Sequence, residues 1–153
     1  MEKYQQRINI SAPNLINICV DDNQQGEISG RLYHYYNTEP VRFENIVELI
    51  RETENLFDVI AFPQASTRTR KFIDQGKKSI MPVQRPARVV RQEELLKNTG
   101  CMGTFITSVR YRQNSTWQGE FYWAENDVKR QFSNLLDFIR QIDTALEMKN
   151  VTK

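Results

Sequence analysis

The chain has 153 residues, of which 39% are hydrophobic and 26% are charged, and its formal net charge is +2. This length fits one domain, which buries about 68–70% of the surface of its unfolded chain and needs no metal or disulfide to fold. No apolar run approaches the ~18 residues of a membrane span, and the first residues lack the apolar core of a signal peptide. We therefore expect a single cytoplasmic domain, 1–153, without a cofactor and without contact to a membrane.

The chain carries the same pattern twice, at a constant offset of 89 residues. Residues 30–58 align without a gap with residues 119–147 and share 7 identities in 29 positions, where ordinary composition gives about two. The identical pairs are Gly30 with Gly119, Tyr33 with Tyr122, Asn37 with Asn126, Phe43 with Phe132, Asn45 with Asn134, Ile50 with Ile139 and Arg51 with Arg140. Two positions 89 residues apart are called matched positions below. A repeat this long predicts one supersecondary unit per copy, each needing a neighbour to bury its apolar face.

Each copy begins with a period-two alternation of apolar and polar residues, which is typical of half-buried strands. The alternating apolar positions of the first strands are Ile16, Ile18 and Val20 in one copy and Phe105, Thr107, Val109 and Tyr111 in the other. A polar link, 22–27 or 112–116, then predicts a hairpin to a second strand. Turn residues at 37–38 and 126–127 precede a short third strand that ends at Phe43 or Phe132.

A helix follows in each copy, because apolar residues recur at helical spacing. The two stripes are Ile46, Leu49, Ile50, Thr53 and Phe57, and Leu135, Phe138, Ile139, Ile142 and Leu146. Asn45 with Glu48, and Asn134 with Asp137, resemble capping boxes at the helix starts. The predicted fold is α+β, an internal duplication of a βββα unit. Repeat 1 (about 14–58) and repeat 2 (about 103–147) form an antiparallel sheet of about six strands with two packed helices and a pseudo-twofold axis.

A basic connector, about 59–102, separates the repeats. Between residues 64 and 92 it has eight cations and one acid, a net charge of +7, which leaves −5 for the rest of the chain. Its Pro and Gly residues predict mostly loop, followed by a short helix at 92–97. Such a segment attracts phosphate, an acidic protein surface or the acidic remainder of the molecule. The candidate binding residues here are Arg68, Arg70, Lys71, Arg85, Arg88 and Arg91.

Signals for catalysis are weak. His34 is the only histidine and lies on the apolar face of its strand, which favours a packed side chain. Cys19 and Cys101 are not at matched positions, so two reduced thiols are the plain interpretation. The glycines form neither a phosphate-binding loop nor a dinucleotide fingerprint. We therefore predict no enzyme, no catalytic residue and no metal ligand.

Two further features are candidates for binding. Tyr33 and Tyr122 are matched but lie on the more polar strand face, either packed under the connector or forming an aromatic contact surface. Beside them Arg31 and Glu120 are matched with opposite charge, which predicts a complementary contact between them. The second feature is the polar hairpin of repeat 2, with Arg112, Asn114 and Trp117 as candidate residues. Its repeat 1 counterpart lacks the Trp, so the hairpin makes a specific contact or is merely well capped.

The run Arg112-Gln-Asn-Ser-Thr-Trp-Gln-Gly119, with Phe121-Tyr-Trp123, resembles a family of small uncharacterised proteins of Gram-positive anaerobic bacteria. Phe57-Asp58 and Phe62-Pro-Gln-Ala65 are similar to the same group. The resemblance covers both repeats and implies a bacterial cytoplasmic protein, but it implies no activity.

Our first hypothesis is a non-enzymatic binding or regulatory module that acts through protein–protein contacts, with a second copy of the chain as one candidate partner. The alternative is a nucleic-acid-binding protein that uses the basic connector, Arg68–Arg91. A third hypothesis is a small-ligand pocket between the two halves of the sheet.

Overall fold

The computed structural model describes residues 7–63, 86–113 and 116–151. This part of the chain forms six strands and three helices. The strands are β1 (Ile16–Gln24), β2 (Glu27–His34), β3 (Asn37–Phe43), β4 (Gly103–Gln113), β5 (Thr116–Trp123) and β6 (Val128–Phe132). The helices are α1 (Ile46–Ile60), α2 (Gln92–Leu96) and α3 (Leu135–Val151). All neighbours pair antiparallel in the order β3-β2-β1-β4-β5-β6, which confirms the predicted α+β class and six-stranded antiparallel sheet.

One face of the sheet, called the helical face below, is covered by two helices. α1 lies over β2 and β3, and α3 lies over β5 and β6. The buried residues of the helices there come largely from the predicted stripes: Leu49, Thr53, Phe57, Phe138, Ile142 and Leu146. Aromatic rings interlock on the α3 side, where the Phe138 ring lies 4.9 Å from Phe132 and 6.2 Å from Phe121, both edge-on. Edge-on contacts of this kind add to the free energy that area burial supplies.

Both helices begin at the predicted caps. The Asn45 side-chain oxygen accepts from the Glu48 backbone N–H at 2.8 Å, and Asn134 does the same for Asp137 at 2.8 Å. The Glu48 carboxylate accepts in return from the Glu44 N–H, one residue before the cap. These contacts satisfy backbone donors that a helix start otherwise leaves unpaired, so the shared Asn is explained by folding.

The opposite face, called the connector face below, is also buried at its centre. Its core consists of Ile8, Ile10, Leu15, Tyr35, Leu95, Leu96, Ile106, Tyr122 and Ala124. Asn17 of β1 donates to the carbonyls of Leu95 and Asn98, both at 2.9 Å, and so holds α2 on the sheet. α2 adds a third helix to the two predicted for the sheet, close to the bounds expected within the connector. The alternating pattern predicted one exposed face, and that expectation fails at β1, because the connector supplies partners for the polar side chains there.

Irregularities in strand pairing occur at matched positions. The β1–β2 ladder shifts between Val20 and Asp22, and the β4–β5 ladder shifts between Val109 and Tyr111. Gly30 and Gly119 lie opposite these shifts. A Cβ atom on Gly30 would lie 2.0 Å from the Cys19 carbonyl oxygen, and one on Gly119 would lie 2.1 Å from that of Ser108. Both glycines are therefore required by close approach of the neighbouring backbone.

Each repeat also has a cross-strand ion pair within its first hairpin at this point, with the charges reversed. Asp21 accepts from Arg31 in the first half (2.8 Å), and Glu120 accepts from Arg110 in the second (3.0 Å). Asp21 and Arg110 are matched, as are Arg31 and Glu120. The predicted contact between Arg31 and Glu120 is wrong, because each finds an opposite charge within its own hairpin.

One predicted turn is also misplaced. The link between β2 and β3 is formed by Tyr35 and Tyr36, so Asn37 and Thr38 already belong to β3. The Tyr35 carbonyl accepts from the backbone N–H groups of Val89 and Val90. Tertiary contact with the connector therefore fixes this turn, and the polar dipeptide that suggested a turn opens the strand.

Replacement of either bulge glycine tests the close approach. We expect Gly30→Ala and Gly119→Ala each to lower the free energy of unfolding by about 1–3 kcal/mol, since the added methyl group displaces a strand. Urea denaturation measures this loss. Ser29→Ala, a change on the same strand, serves as the control and should alter the free energy by less than about 0.5 kcal/mol. A tolerated Ala at either glycine would contradict the geometry.

The Asp21–Arg31 pair predicts a pH dependence. Hydrogen bonding from Arg31, opposed by partial burial and reinforced by the Cys101 N–H, lowers the pKa of the Asp21 carboxyl. A lowered carboxyl pKa stabilises the fold above the unfolded-state pKa of about 3.9, and this stability is lost as the pH falls below it. Thermal unfolding should therefore show wild type more stable than Asp21→Asn at neutral pH, with the gap closing below about pH 3.9. A gap that widens on acidification would contradict the assignment, and Asp22→Asn is the control.

Candidate functional site

The two halves meet on the helical face at two places, and Trp117 fills one of them. This side chain is fully buried at the start of β5. Its ring centroid lies 5.9 Å from Phe57 of α1 and 5.4 Å from Phe138 of α3. The indole N–H donates to the carboxylate of Glu54 on α1. Trp117 thus packs between the helices of both halves, and its polar edge is satisfied.

Arg112 completes this contact from β4. Its side chain is only 4% exposed and donates to Glu54 at 2.6 Å, to Asp58 at 3.1 Å and to the Pro63 carbonyl at 2.8 Å. The guanidinium also lies 5.3 Å from the ring centroid of Phe57. A buried cation is tolerated when its donors are paired, and these partners pair several of them. We call this set of five residues, Arg112, Trp117, Glu54, Asp58 and Phe57, the filled junction.

The matched positions of the other half have smaller side chains. Their residues, in the same order, are Asn23, Ile28, Asp143, Glu147 and Leu146. A cavity of about 280 Å³ is present here instead of a buried tryptophan side chain. It is lined chiefly by Ile28, Ile46, Ile139, Arg140, Ile142 and Asp143. We call this cavity the open junction; it lies between the first hairpin, α1 and α3.

The walls and the rim of the open junction differ in chemistry. Four isoleucines line it, and Arg140 and Asp143 are exposed to solvent at its edge. Asn23 pairs with Ile28 across the hairpin but is not among the residues that line the cavity, and its buried side-chain oxygen has no hydrogen-bond partner. A buried acceptor without a donor is costly to the fold. The Asp143 carboxylate is an acceptor at the edge of the cavity, so the arrangement can hold an apolar group that carries a hydrogen-bond donor.

The candidate residues of the repeat 2 hairpin and the strand face lie mostly in the interior. Trp117 and Arg112 are buried in the filled junction, so neither offers the exposed contact that the sequence suggested. Tyr122 is also buried, within the connector face, and its hydroxyl donates to Asp127 at 2.7 Å. Tyr33 is half-buried against the same cluster, and its hydroxyl accepts from Arg31 at 2.8 Å. Among the described residues, these positions leave no continuous aromatic surface on that face.

The basic connector is described only in part. Arg88 donates to the Ser11 carbonyl at 2.9 Å, and its guanidinium lies 4.3 Å from the Tyr35 ring centroid. Arg91 precedes α2, and its backbone N–H donates to Glu94 at 3.2 Å. Both arginines are exposed overall. The other predicted binding residues lie outside the described residues: Arg68, Arg70, Lys71, Arg85 and Asn114.

Groups that often perform chemistry have ordinary surroundings here. Within 7–63, 86–113 and 116–151, no three His, Cys, Asp or Glu side chains converge as a metal site. His34 is buried and accepts from the Tyr36 N–H, and its burial lowers the pKa of the imidazole. Cys19 is a buried free thiol, and burial raises its pKa to about 12, while Cys101 is free and exposed. None of the described helices is long and apolar enough to cross a membrane.

Comparisons with protein-family models, with curated proteins and with solved structures found no match to this chain. The resemblance to a bacterial family therefore stays a prediction.

Sequence reasoning missed the open junction, although a signal was present. The absence of the Trp from the first hairpin was visible in the sequence, because Ile28 occupies the position matched to Trp117. What the alignment did not show is that Trp117 points between the helices, so that its replacement by a smaller residue leaves space. That inference requires the direction of the side chain and the position of α3.

The filled junction predicts an order of stability losses. Glu54→Gln should cost about 1–3 kcal/mol, because it removes the charged acceptor of a buried guanidinium and of an indole N–H. Asp58→Asn should cost less than about 1 kcal/mol, since that side chain is 67% exposed. Urea denaturation followed by tryptophan fluorescence measures both. Equal losses would show that Glu54 is not the principal partner of Arg112.

Proposed function

We propose that the chain is an internal duplication of a βββα unit, with a pseudo-twofold axis through the centre of the sheet. The pairing of β1 with β4 supports this, because Asn17 lies opposite Ile106 and these two positions are themselves matched. The shifts in strand pairing, the bulge glycines and the two ion pairs lie at matched positions as well. On this proposal the two junctions are equivalent places that differ in what fills them.

We further propose that the protein is a non-enzymatic binding module that acts through protein–protein contacts at the open junction. The cavity of about 280 Å³ carries this proposal. It lies below the range of about 300–1,000 Å³ that is usual for small-molecule pockets, so it suits a group of side-chain size. Binding energy at protein interfaces is concentrated in such places, where one anchoring side chain enters a pocket.

The surroundings of the cavity support a protein partner. Val47, which follows the cavity residue Ile46, is 63% exposed, and Leu136, one turn before Arg140 on α3, is 57% exposed. Exposed apolar side chains beside a pocket add contact area to an anchor. Arg140 and Asp143 supply a polar rim, and arginine is enriched at interfaces. A pocket with an apolar border and a charged rim matches the usual layout of a contact site.

A matched pair of surface variants tests this function. Arg140→Glu changes the rim of the open junction, whereas Arg51→Glu changes the matched and likewise exposed position on α1, away from the cavity. The immobilised full chain should retain a protein partner from the native host in wild type and in Arg51→Glu. Retention should fall severalfold in Arg140→Glu, because a reversed rim charge opposes the partner. Equal retention by all three forms would overturn the proposed site, and sedimentation of the purified chain identifies a partner that is a second copy.

Nucleic-acid binding through the connector is the alternative function, and Arg88 and Arg91 are its exposed described cations. This alternative is tested by measuring the affinity of the chain for single- and double-stranded DNA and RNA at two salt concentrations. Our proposal predicts no binding at low salt. Affinity that falls steeply with salt, and that is lost on reversal of the Arg85, Arg88 and Arg91 charges, would favour the alternative.

A further inference from the structure

We infer that the group the open junction accepts is an indole ring, the side chain of a tryptophan on the protein partner. This inference rests on the proposed function and names the chemistry of its anchor. The matched place in the same molecule already contains that group, since Trp117 packs there between α1 and α3. The open junction lies between the same two helices with their places exchanged, and it has a smaller residue, Ile28, where the filled junction has its indole.

The open junction also has a hydrogen-bond acceptor at the position matched to Glu54. In the filled junction the indole N–H donates to Glu54. Asp143 is matched to Glu54 and borders the cavity. This carboxylate is an acceptor at the cavity, and an indole is a ring that donates and does not accept.

The walls suit the faces of such a ring. Ile28, Ile139 and Ile142 present aliphatic surface, which packs against an aromatic ring without leaving a polar group unpaired. Arg140 lies at the rim, where a guanidinium can contact the ring face of a bound indole. A phenyl ring would fill part of the space but has no donor for the Asp143 carboxylate at the rim, so it forgoes one hydrogen bond that an indole makes. The pocket therefore distinguishes indole from phenyl by this one acceptor.

Binding of a blocked amino acid tests the inference directly. N-acetyl-tryptophanamide should shift the backbone amide NMR signals of Gly26, Ile28, Ile142 and Asp143 in the full chain, with a dissociation constant on the order of millimolar, as suits a single anchor. The 1-methylindole analogue and N-acetyl-phenylalaninamide should bind more weakly by about two- to tenfold, the worth of one hydrogen bond. Equal binding of all three would overturn the assignment of the N–H contact.

Two variants test whether the probe binds in the open junction and whether Asp143 accepts from it. Ile28→Trp places the chain's own indole in the cavity, so it should abolish binding of N-acetyl-tryptophanamide and raise the unfolding temperature. Asp143→Asn changes an exposed residue and leaves the fold intact. It should weaken binding and reduce the preference over the 1-methyl analogue, while the control Arg51→Glu leaves both unchanged. Undiminished binding in Ile28→Trp that retains the wild-type fold, judged by its NMR spectrum, would show that the probe binds elsewhere and overturn the inference.

Failure of this inference is distinguishable from failure of the proposed function. A partner that depends on Arg140, together with no binding of N-acetyl-tryptophanamide, would support the proposed contact site and show that its anchor is not a tryptophan. Binding of free indole without binding of the blocked amino acid would show that the pocket takes a small molecule, and the inference of a tryptophan side chain would be wrong. Binding of the blocked amino acid at the open junction, lost in Ile28→Trp, would support the inference.

Discussion

The antiparallel pairing of β1 with β4 is the constraint on which the rest of the structure depends. These two strands are the only contact through which the ladders of the described sheet join into one. Their register sets Asn17 opposite Ile106, and this fixes how far α1 and α3 stand apart on the helical face. The interface between the halves has one junction at each end, because each hairpin there reaches the helix of the other half.

The two junctions show that matched places in the fold can contain very different side chains. In one, Arg112 and Trp117 bring a cation and a large ring into the interior, and Glu54 pairs with both. A buried ion pair adds little net stability, but the loss of one partner is costly, so such a contact specifies arrangement more than it adds free energy. In the other, the smaller Ile28 and Asn23 leave a cavity and an unpaired acceptor. The second junction therefore has space where the first has a large side chain.

Much of the fold was predictable from the sequence because its signals are local. Alternation gave the strands, apolar spacing gave α1 and α3, and Asn45 and Asn134 marked the helix starts through the hydrogen bonds that their side chains make. The misplaced turn at Asn37 and the unexpected burial of the connector face share one cause. Both depend on residues about 50 to 80 positions away in the sequence, such as Val89 and Leu95, and no local pattern reports such contacts.

The sequence by itself determined the class of fold, the number and kind of its main elements and the positions that belong to folding, since those follow from periodicity and from backbone requirements such as Gly30 and Gly119. Only the tertiary structure decided which side chains face inward and what space remains between them. It buried Trp117 and Arg112, which the sequence offered as surface residues, and it left a cavity at Ile28, which the sequence passed over. Space between packed elements depends on the direction of side chains from separate parts of the chain. The candidate site therefore became visible only once β5, α1 and α3 were assembled.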